Sequence, residues 1–386
     1  MIDVLLINPG SQLEVYQGLA DDLTAKEPPI WCRLIASYLR VKVLRVDILD
    51  VEFHGLTIAQ ATTHVDMFAP RLAVVVVHGH QPSASTQKMP AATALIKAIK
   101  EECPYMPVLV VGGHPAALPF TTLQETGADF VCLGEGPVTV YELAANLKTN
   151  RAFSSAQGLA WLLDGSLCSS SVAPNVADLD NEMPGGCWDL LAMSLYRSYT
   201  HHAWSNDFKR QPYASIYTSL NCPYSCGFCM ISSPFRYGDR LKTKRSGVNL
   251  YRTWSADTVM KDVIELVERY GVTNIRFDDE MFVLNEAHVL GLCDKISERY
   301  GDKLNLWCYG RVDQTKEKFL AKMRAAGFKW LCLGIESLSN EVRDGVEKGG
   351  YGVQDIIDTV ARINNHGINT LANYMFGLPD DTMESM

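Results

Sequence analysis

The chain contains no apolar run approaching the ~18–20 residues that a membrane-spanning helix needs, which excludes a helical integral membrane protein. Residues Met1–Gly10 carry neither a basic stretch nor a small-residue cleavage site, so nothing marks secretion and a cytoplasmic, reducing location is expected for its eleven cysteines. Positive charge is in the minority. Lys and Arg number 35 against 44 Asp and Glu, and the net charge of −9 argues against a nucleic-acid binder dominated by phosphate contacts. No G-x-G-x-x-G follows the first apolar stretch, so a dinucleotide fingerprint is missing. One more absence concerns the cysteines. Cys222, Cys226 and Cys229 form a C-x3-C-x2-C run, yet the next Cys is Cys293 and the flanking histidines are His202 and His288. A closed structural zinc site wants a fourth ligand close by. Three thiolates on a four-iron cluster instead leave one iron open to bind another molecule.

The length of 386 residues fits two or three domains. Over residues 1–148, short apolar strands (Val4–Ile7, Val43–Leu49, Leu72–Val77, Val108–Val111, Phe130–Leu133) alternate with helical segments (Ile30–Arg40, Thr86–Glu101, Val138–Leu147). This pattern predicts a doubly wound, Rossmann- or flavodoxin-like parallel sheet that binds ligands beyond the strands' carboxyl ends. Small and hydroxyl-bearing residues collect there: Ser83, Ser85 and Thr86, then Gly112 and Gly113, then Gly134, Glu135 and Gly136. Singly the glycines read as tight turns; as a set on one edge they read as a ligand rim.

Residues 149–212 break the alternation. Asp164-Gly165 between Leu159–Leu163 and Leu167–Ser169 predicts a type I′ hairpin, and the aromatic segment after Trp188 reads as inter-domain packing or as a cofactor contact. From Tyr213 to Met386 the strand–helix repeat resumes with five visible strands, as in a (β/α) barrel whose chemistry lies at the strand carboxyl ends. Those ends offer the three cysteines, Asp278-Asp279-Glu280, Arg311 and Glu336. The acids read either as a solvated loop or as acceptors for a ligand's ammonium and hydroxyls. Glu336 and Arg311 read either as a mutual ion pair or as ligand contacts. A barrel ending at Met386 would leave an edge strand, so the chain is expected to be a fragment or a truncated product.

These motifs carry a resemblance. Cys222-x3-Cys226-x2-Cys229 with Phe228 before the last Cys, Arg276–Glu280, Arg311, Gly334-Ile335-Glu336-Ser337 and Phe376-Gly377-Leu378-Pro379 resemble the radical S-adenosylmethionine (SAM) enzymes. Pro28-Pro29 through Leu39, Gly112–Pro115, Gly134–Gly136 and Cys187–Leu191 resemble the cobalamin-binding domain that precedes the SAM core in one large subfamily. The resemblance implies a cobalamin-binding domain at 1–148, a linker at 149–212 and an incomplete, partial (β/α)6 TIM-like SAM core at 213–386. It implies a [4Fe–4S] cluster on Cys222, Cys226 and Cys229, with SAM contacted by Phe228, Asp279, Glu280, Arg311 and Glu336. It further implies cobalamin along Ser83, Ser85, Thr86, Gly112, Gly113, Gly134, Glu135 and Gly136. Asp50-Val51-Glu52-Phe53-His54-Gly55 departs from the D-x-H-x-x-G of methionine-synthase-like domains, so cobalt is expected without a protein His ligand.

The implied reaction is reductive cleavage of SAM to a 5′-deoxyadenosyl radical, followed by cobalamin-dependent methyl transfer to an unactivated carbon of a small metabolite. The implied electron donor is a flavodoxin or ferredoxin. Cationic residues at Arg236, Arg240, Lys242, Lys244, Arg245 and Arg252 read as a solvated loop or as a dock for an acidic donor or an anionic substrate. Cyclisation or rearrangement on the same core is the alternative activity. A non-catalytic cobalamin module with a structural metal is the alternative from another class.

Overall fold

The computed structural model describes residues 2–10, 24–79, 84–203, 209–231 and 251–386. They divide into two units. The first comprises 2–10, 24, 28–79, 84–192 and 230–231; the second comprises 25–27, 193–203, 209–229 and 251–386. Among the described residues no helix is long and apolar enough to cross a membrane.

The first unit is built on β1 (Val4–Asn8), α1 (Ile30–Val41), β2 (Val46–Asp50), α2 (Ile58–Phe68), β3 (Leu72–Val76), α3 (Ala84–Glu102), β4 (Val108–Val111), α4 (Pro119–Thr126), β5 (Phe130–Cys132) and α5 (Pro137–Lys148). The central strands are buried on both faces, as their unbroken apolar runs require. The sheet order is β2-β1-β3-β4-β5, all parallel. The chain therefore reverses direction of growth between β1 and β3, and such a switch point opens a crevice at the carboxyl edge.

Two glycines hold that edge close. Gly112 lies at φ +155°, and a Cβ there would sit 2.7 Å from the Val77 side chain; Gly136 lies at φ +119°, where a Cβ would meet Val111 at 2.9 Å. The hairpin forms as expected, with Asp164 at φ 49° and Gly165 at φ 76°. Its strands β6 (Leu159–Leu163) and β7 (Ser166–Ser169) do not stand apart as a linker, however. They extend the first sheet antiparallel from β5, because Leu159 and Ala160 pair with Cys132 and Val131 and are fully buried. The Cys187–Leu191 motif is also fixed to this unit. Trp188 is buried beneath the Arg33 guanidinium at 3.9 Å, and Asp189 takes both Arg40 nitrogens at 2.7 and 2.8 Å. Helix α2 escaped the sequence reading; its Thr57–Gln60 capping box is the signal that marks it.

The second unit contains β8 (Tyr213–Ile216), β9 (Ser219–Leu220), β10 (Arg252–Thr253), α6 (Ala256–Ile264), β11 (Asn274–Phe277), α7 (Glu286–Tyr300), β12 (Asn305–Arg311), α8 (Glu317–Ala325), β13 (Phe328–Glu336), α9 (Val353–Asn365) and β14 (Asn369–Tyr374). Its main sheet runs β8-β11-β12-β13-β14 in simple chain order, every neighbour parallel. Sequential order without reversal is how a barrel wall grows. Ser255 caps α6 through the Thr258 N–H, and Gly271 follows at φ +67°, as the sequence indicates. The helix itself changes to a π-helical turn over Glu265–Arg269.

The aromatic segment around His201 and His202 packs inside this unit. His202 is fully buried, with Nε2 3.0 Å from the Asn305 carbonyl, and Asn305 Nδ2 donates back to the His202 carbonyl at 2.8 Å. Burial pushes the ring's pKa down to about 3 from 6.5. Between those values the unfolded chain binds a proton that the folded chain excludes, so stability is full above pH 6.5 and is lost as pH falls. Unfolding in urea at pH 5 should show ~2 kcal/mol less stability than at pH 7 from this residue. His202→Asn should remove that part of the slope, and an unchanged slope would count against the assignment.

Candidate active site

Strand β8 ends at Ile216, and the chain passes through Thr218 and β9 into the cysteine loop. Asp279, fully buried, ties this passage down. Its carboxylate accepts from the Thr218 N–H at 3.1 Å, from the Thr218 hydroxyl at 2.8 Å and from the Ser219 hydroxyl. Burial raises its pKa to about 6 against those donors. Asp279 therefore departs from the expected ligand contact: its oxygens position the approach to Cys222. Glu280 is different. The Tyr217 hydroxyl donates to its carboxylate, but Oε2 is buried without a partner, and burial raises the pKa to about 8. A carboxyl with one committed and one open oxygen is suited to accept from a cation.

The cysteine loop is docked on residues 342–349. Gly227 N–H donates to the Val346 carbonyl at 2.9 Å, and Ser225 Oγ donates to Glu347 at 2.8 Å. Phe228 is partly buried and packs against Val342, Val346 and Leu378. Arg311 closes the arrangement. It pairs with Asp313 at 2.8 Å, donates to the Gly349 carbonyl at 3.0 Å, lies 4.2 Å over Tyr224 and reaches Cys226 Sγ at 3.8 Å. Of the two readings of Arg311 and Glu336, the mutual ion pair does not form. Glu336, held at φ +66°, pairs with Lys348 Nζ at 2.8 Å, both side chains about one-tenth exposed. Lys348 and Glu347 were missed by sequence reasoning; the run Glu347-Lys348-Gly349-Gly350 after a helix is their faint signal.

Cys222, Cys226 and Cys229 are free thiols and only partly buried. Burial raises the Cys222 thiol to about 12, with Glu280 and the other two thiols adding to it, so a positive centre is needed to hold the Cys222 sulfur as a thiolate. Among the described residues no three Cys, His, Asp or Glu converge tightly enough to surround a single metal ion. Three free thiols on one short loop are the donor set that a four-iron cluster takes.

In the first unit, the rim residues take distinct places at the carboxyl edge. Ser85, buried, accepts from the His114 N–H at 2.9 Å, and Thr86 Oγ1 lies 3.2 Å from His114 Nδ1. Gly134 faces open space where a side chain would project. Glu135 is spent internally: its carboxylate accepts from the Val176 N–H at 2.7 Å, so it braces the chain after the hairpin. Ser83 and the cationic residues 236–245 lie outside the described residues. His54 is exposed on a one-turn helix, Val51–His54. Sequence reasoning missed a polar group at the switch point: Lys88 Nζ donates to Asn8 Oδ1 at 2.7 Å and pairs with Glu52 at 3.1 Å, while Asn8 Nδ2 donates to Asp50 at 2.8 Å. His78 follows β3 at the same edge, stacked on Trp31 at 4.2 Å, with Nε2 buried and unpartnered. An orphaned nitrogen and an open glycine edge fit a large polar cofactor here.

A family model for the B12 binding domain matches residues 16–144, and the Radical SAM superfamily model matches residues 216–386. An uncharacterized methyltransferase of Pyrococcus horikoshii, PH0819, is 27% identical over 387 residues, covering 100% of this chain and 76% of that protein. The anaerobic magnesium-protoporphyrin IX monomethyl ester cyclase of Synechocystis is 25% identical, covering 86% of this chain and 60% of that protein. Among solved structures, the radical SAM methyltransferase TsrM from Kitasatospora setae, with cobalamin and a [4Fe–4S] cluster bound, superposes with a TM-score of 0.74 at 21% identity, covering 100% of this chain and 69% of that one. The cobalamin-dependent SAM radical enzyme OxsB gives 0.72 at 18% identity, covering 96% and 49%.

Proposed function

Because the chain belongs to the radical SAM enzymes that carry a B12-binding domain, we propose that it transfers a methyl group to an unactivated carbon of a small metabolite. The cysteine loop carries this reading: three partly exposed thiols, braced from beneath by Asp279 and from the side by Arg311, stand beside a carboxyl with an open oxygen. When bound, the cluster delivers the electron that cleaves SAM to a 5′-deoxyadenosyl radical, and cobalamin carries the methyl group. Cys222, Cys226 and Cys229 hold the cluster. Glu280 accepts a hydrogen bond from the SAM ammonium. Arg311 and the Glu336–Lys348 pair bound the same end of the β12 and β13 strands and orient the ribose and carboxylate. Ser83, Ser85, Thr86, Gly112, Gly113, Gly134 and Gly136 shape the cobalamin cradle, with Glu135 bracing it and His54 staying off the cobalt. We assign residues 1–148 to cobalamin and 213–386 to the SAM core, with 149–192 extending the first unit and the described part of 193–212 belonging to the second, and take a flavodoxin or ferredoxin as electron donor.

Anaerobic incubation of the cluster-loaded protein with SAM, a reductant and hydroxocobalamin tests the core of this reading. It should release 5′-deoxyadenosine; none at all would sink it. Glu280→Gln should raise the KM for SAM about tenfold to a hundredfold while iron content stays constant, since one charge-assisted hydrogen bond is lost. An unchanged KM would remove Glu280 from the site. Cyclisation is the second reading, favoured by the likeness to the magnesium-protoporphyrin ester cyclase. Product mass separates the two, because methyl transfer adds one methyl group.

A further inference from the structure

His78 is placed and wired unlike a packing residue. It directly follows Val77 at the carboxyl end of β3, beside the switch point where the first unit's crevice opens. A small pocket at this edge is lined by Asn8, Trp31, Cys32, His78, Gly79 and Lys88. One ring nitrogen donates to the Glu135 backbone carbonyl. Because Nε2 has no partner, the donor is Nδ1, and Nε2 is left with a lone pair. Trp31 stacks on the ring at 17° and fixes its plane. A buried ring nitrogen without a partner costs stability that an apolar side chain would not incur. A backbone carbonyl on one imidazole nitrogen with a lone pair held ready on the other is the arrangement that orients metal-binding histidines.

We propose that His78 Nε2 is the nitrogen this chain presents to cobalt when cobalamin occupies the crevice. The inference rests on the reading of the first unit as a cobalamin site and revises the expectation, drawn from His54, that no protein histidine serves. The other imidazoles described at this edge stand elsewhere: His54 is exposed, and neither it nor His114 lines the pocket that holds His78. The bond is a lone-pair donation from a neutral ring, so no electron or proton is exchanged. Nδ1 keeps its proton on the Glu135 carbonyl, and that hydrogen bond sets the direction in which Nε2 points.

The test uses the full chain loaded with hydroxocobalamin and reduced to cob(II)alamin, read by electron paramagnetic resonance. A nitrogen on cobalt splits each high-field cobalt line into a triplet, and protein grown on ¹⁵N-histidine should turn the triplets into doublets. His78→Gln should abolish the splitting, whereas His114→Gln should leave it intact. A triplet that persists with labelled protein belongs to the cofactor's own base and overturns the proposal, as does a spectrum without splitting. Because the labelling needs no substitution, a variant that misfolds does not blunt the test. Retained cobalamin without protein nitrogen coupling sinks this proposal alone. Failure of the wild-type chain to retain any cobalamin sinks the cobalamin reading with it.

Discussion

Cys226→Ala is expected to reduce 5′-deoxyadenosine formation to the background of cluster-free protein, with iron and sulfide content falling in parallel. The thiol stands in the middle of the loop, and its loss leaves two thiolates where the cluster needs three. The same substitution should hardly touch folding. Cys226 is only partly buried, and the loop is attached through the Gly227 N–H, the Ser225 hydroxyl and the Phe228 ring, the Cys226 sulfur adding only long contacts of 3.8 Å to Arg311 and to the Glu347 carbonyl. Iron-free wild type and variant should therefore unfold within ~0.5 kcal/mol of each other. Activity retained at the wild-type level in a variant lacking iron would overturn the cluster assignment.

The largest effect on stability is expected from Arg276. This arginine on β11 is fully buried, with one nitrogen 2.6 Å from Glu27 and another 2.6 Å from Asp278 and 2.8 Å from the Tyr309 hydroxyl. Trp307 and Tyr309 lie 4.7 and 5.1 Å from the guanidinium carbon. Burial drives the Asp278 carboxyl well above its ordinary pKa, and Arg276 is what opposes that shift. Arg276→Leu removes a cation in contact with two buried acids and should cost ~3–5 kcal/mol in urea unfolding. Replacing Glu27, Arg276 and Asp278 together by apolar residues of similar volume should recover most of that loss, because the remaining groups are no longer stranded. A single substitution costing under ~1 kcal/mol would show that water already solvates the cluster.

The alternation of apolar strands with helices made both sheets legible, since a strand buried on both faces must be apolar throughout and Leu72–Val76 or Val108–Val111 has no other reading. The cysteine run was legible because its spacing is covalent and local. What the sequence hid was partnership. Asp279 and Glu280 are adjacent and chemically alike, yet one faces Thr218 and Ser219 and the other keeps an oxygen open, a difference decided by where β8 ends. Arg311 and Glu336 suggested each other by charge, but Asp313 lies two residues from Arg311 and Lys348 twelve from Glu336, and proximity along the chain won. The hairpin was read correctly as a turn and wrongly as a spacer, because nothing local says that β6 will find β5.

Glu27 has a consequence for biosynthesis. It belongs with the second unit although the chain on both sides of it, Thr24 and Pro28 onward, belongs with the first. On the ribosome Glu27 emerges early, and its partner Arg276 follows 249 residues later. Until then this acid waits in solvent, and the second unit lacks one of the two carboxylates that neutralise its buried cation. A gene fragment beginning at Tyr213 would encode all five strands of that sheet and still omit this carboxylate. Expressed alone, it would start life with Arg276 missing one of its two carboxylate partners, and supplying residues 24–28 as a separate peptide would be the simplest way to restore it.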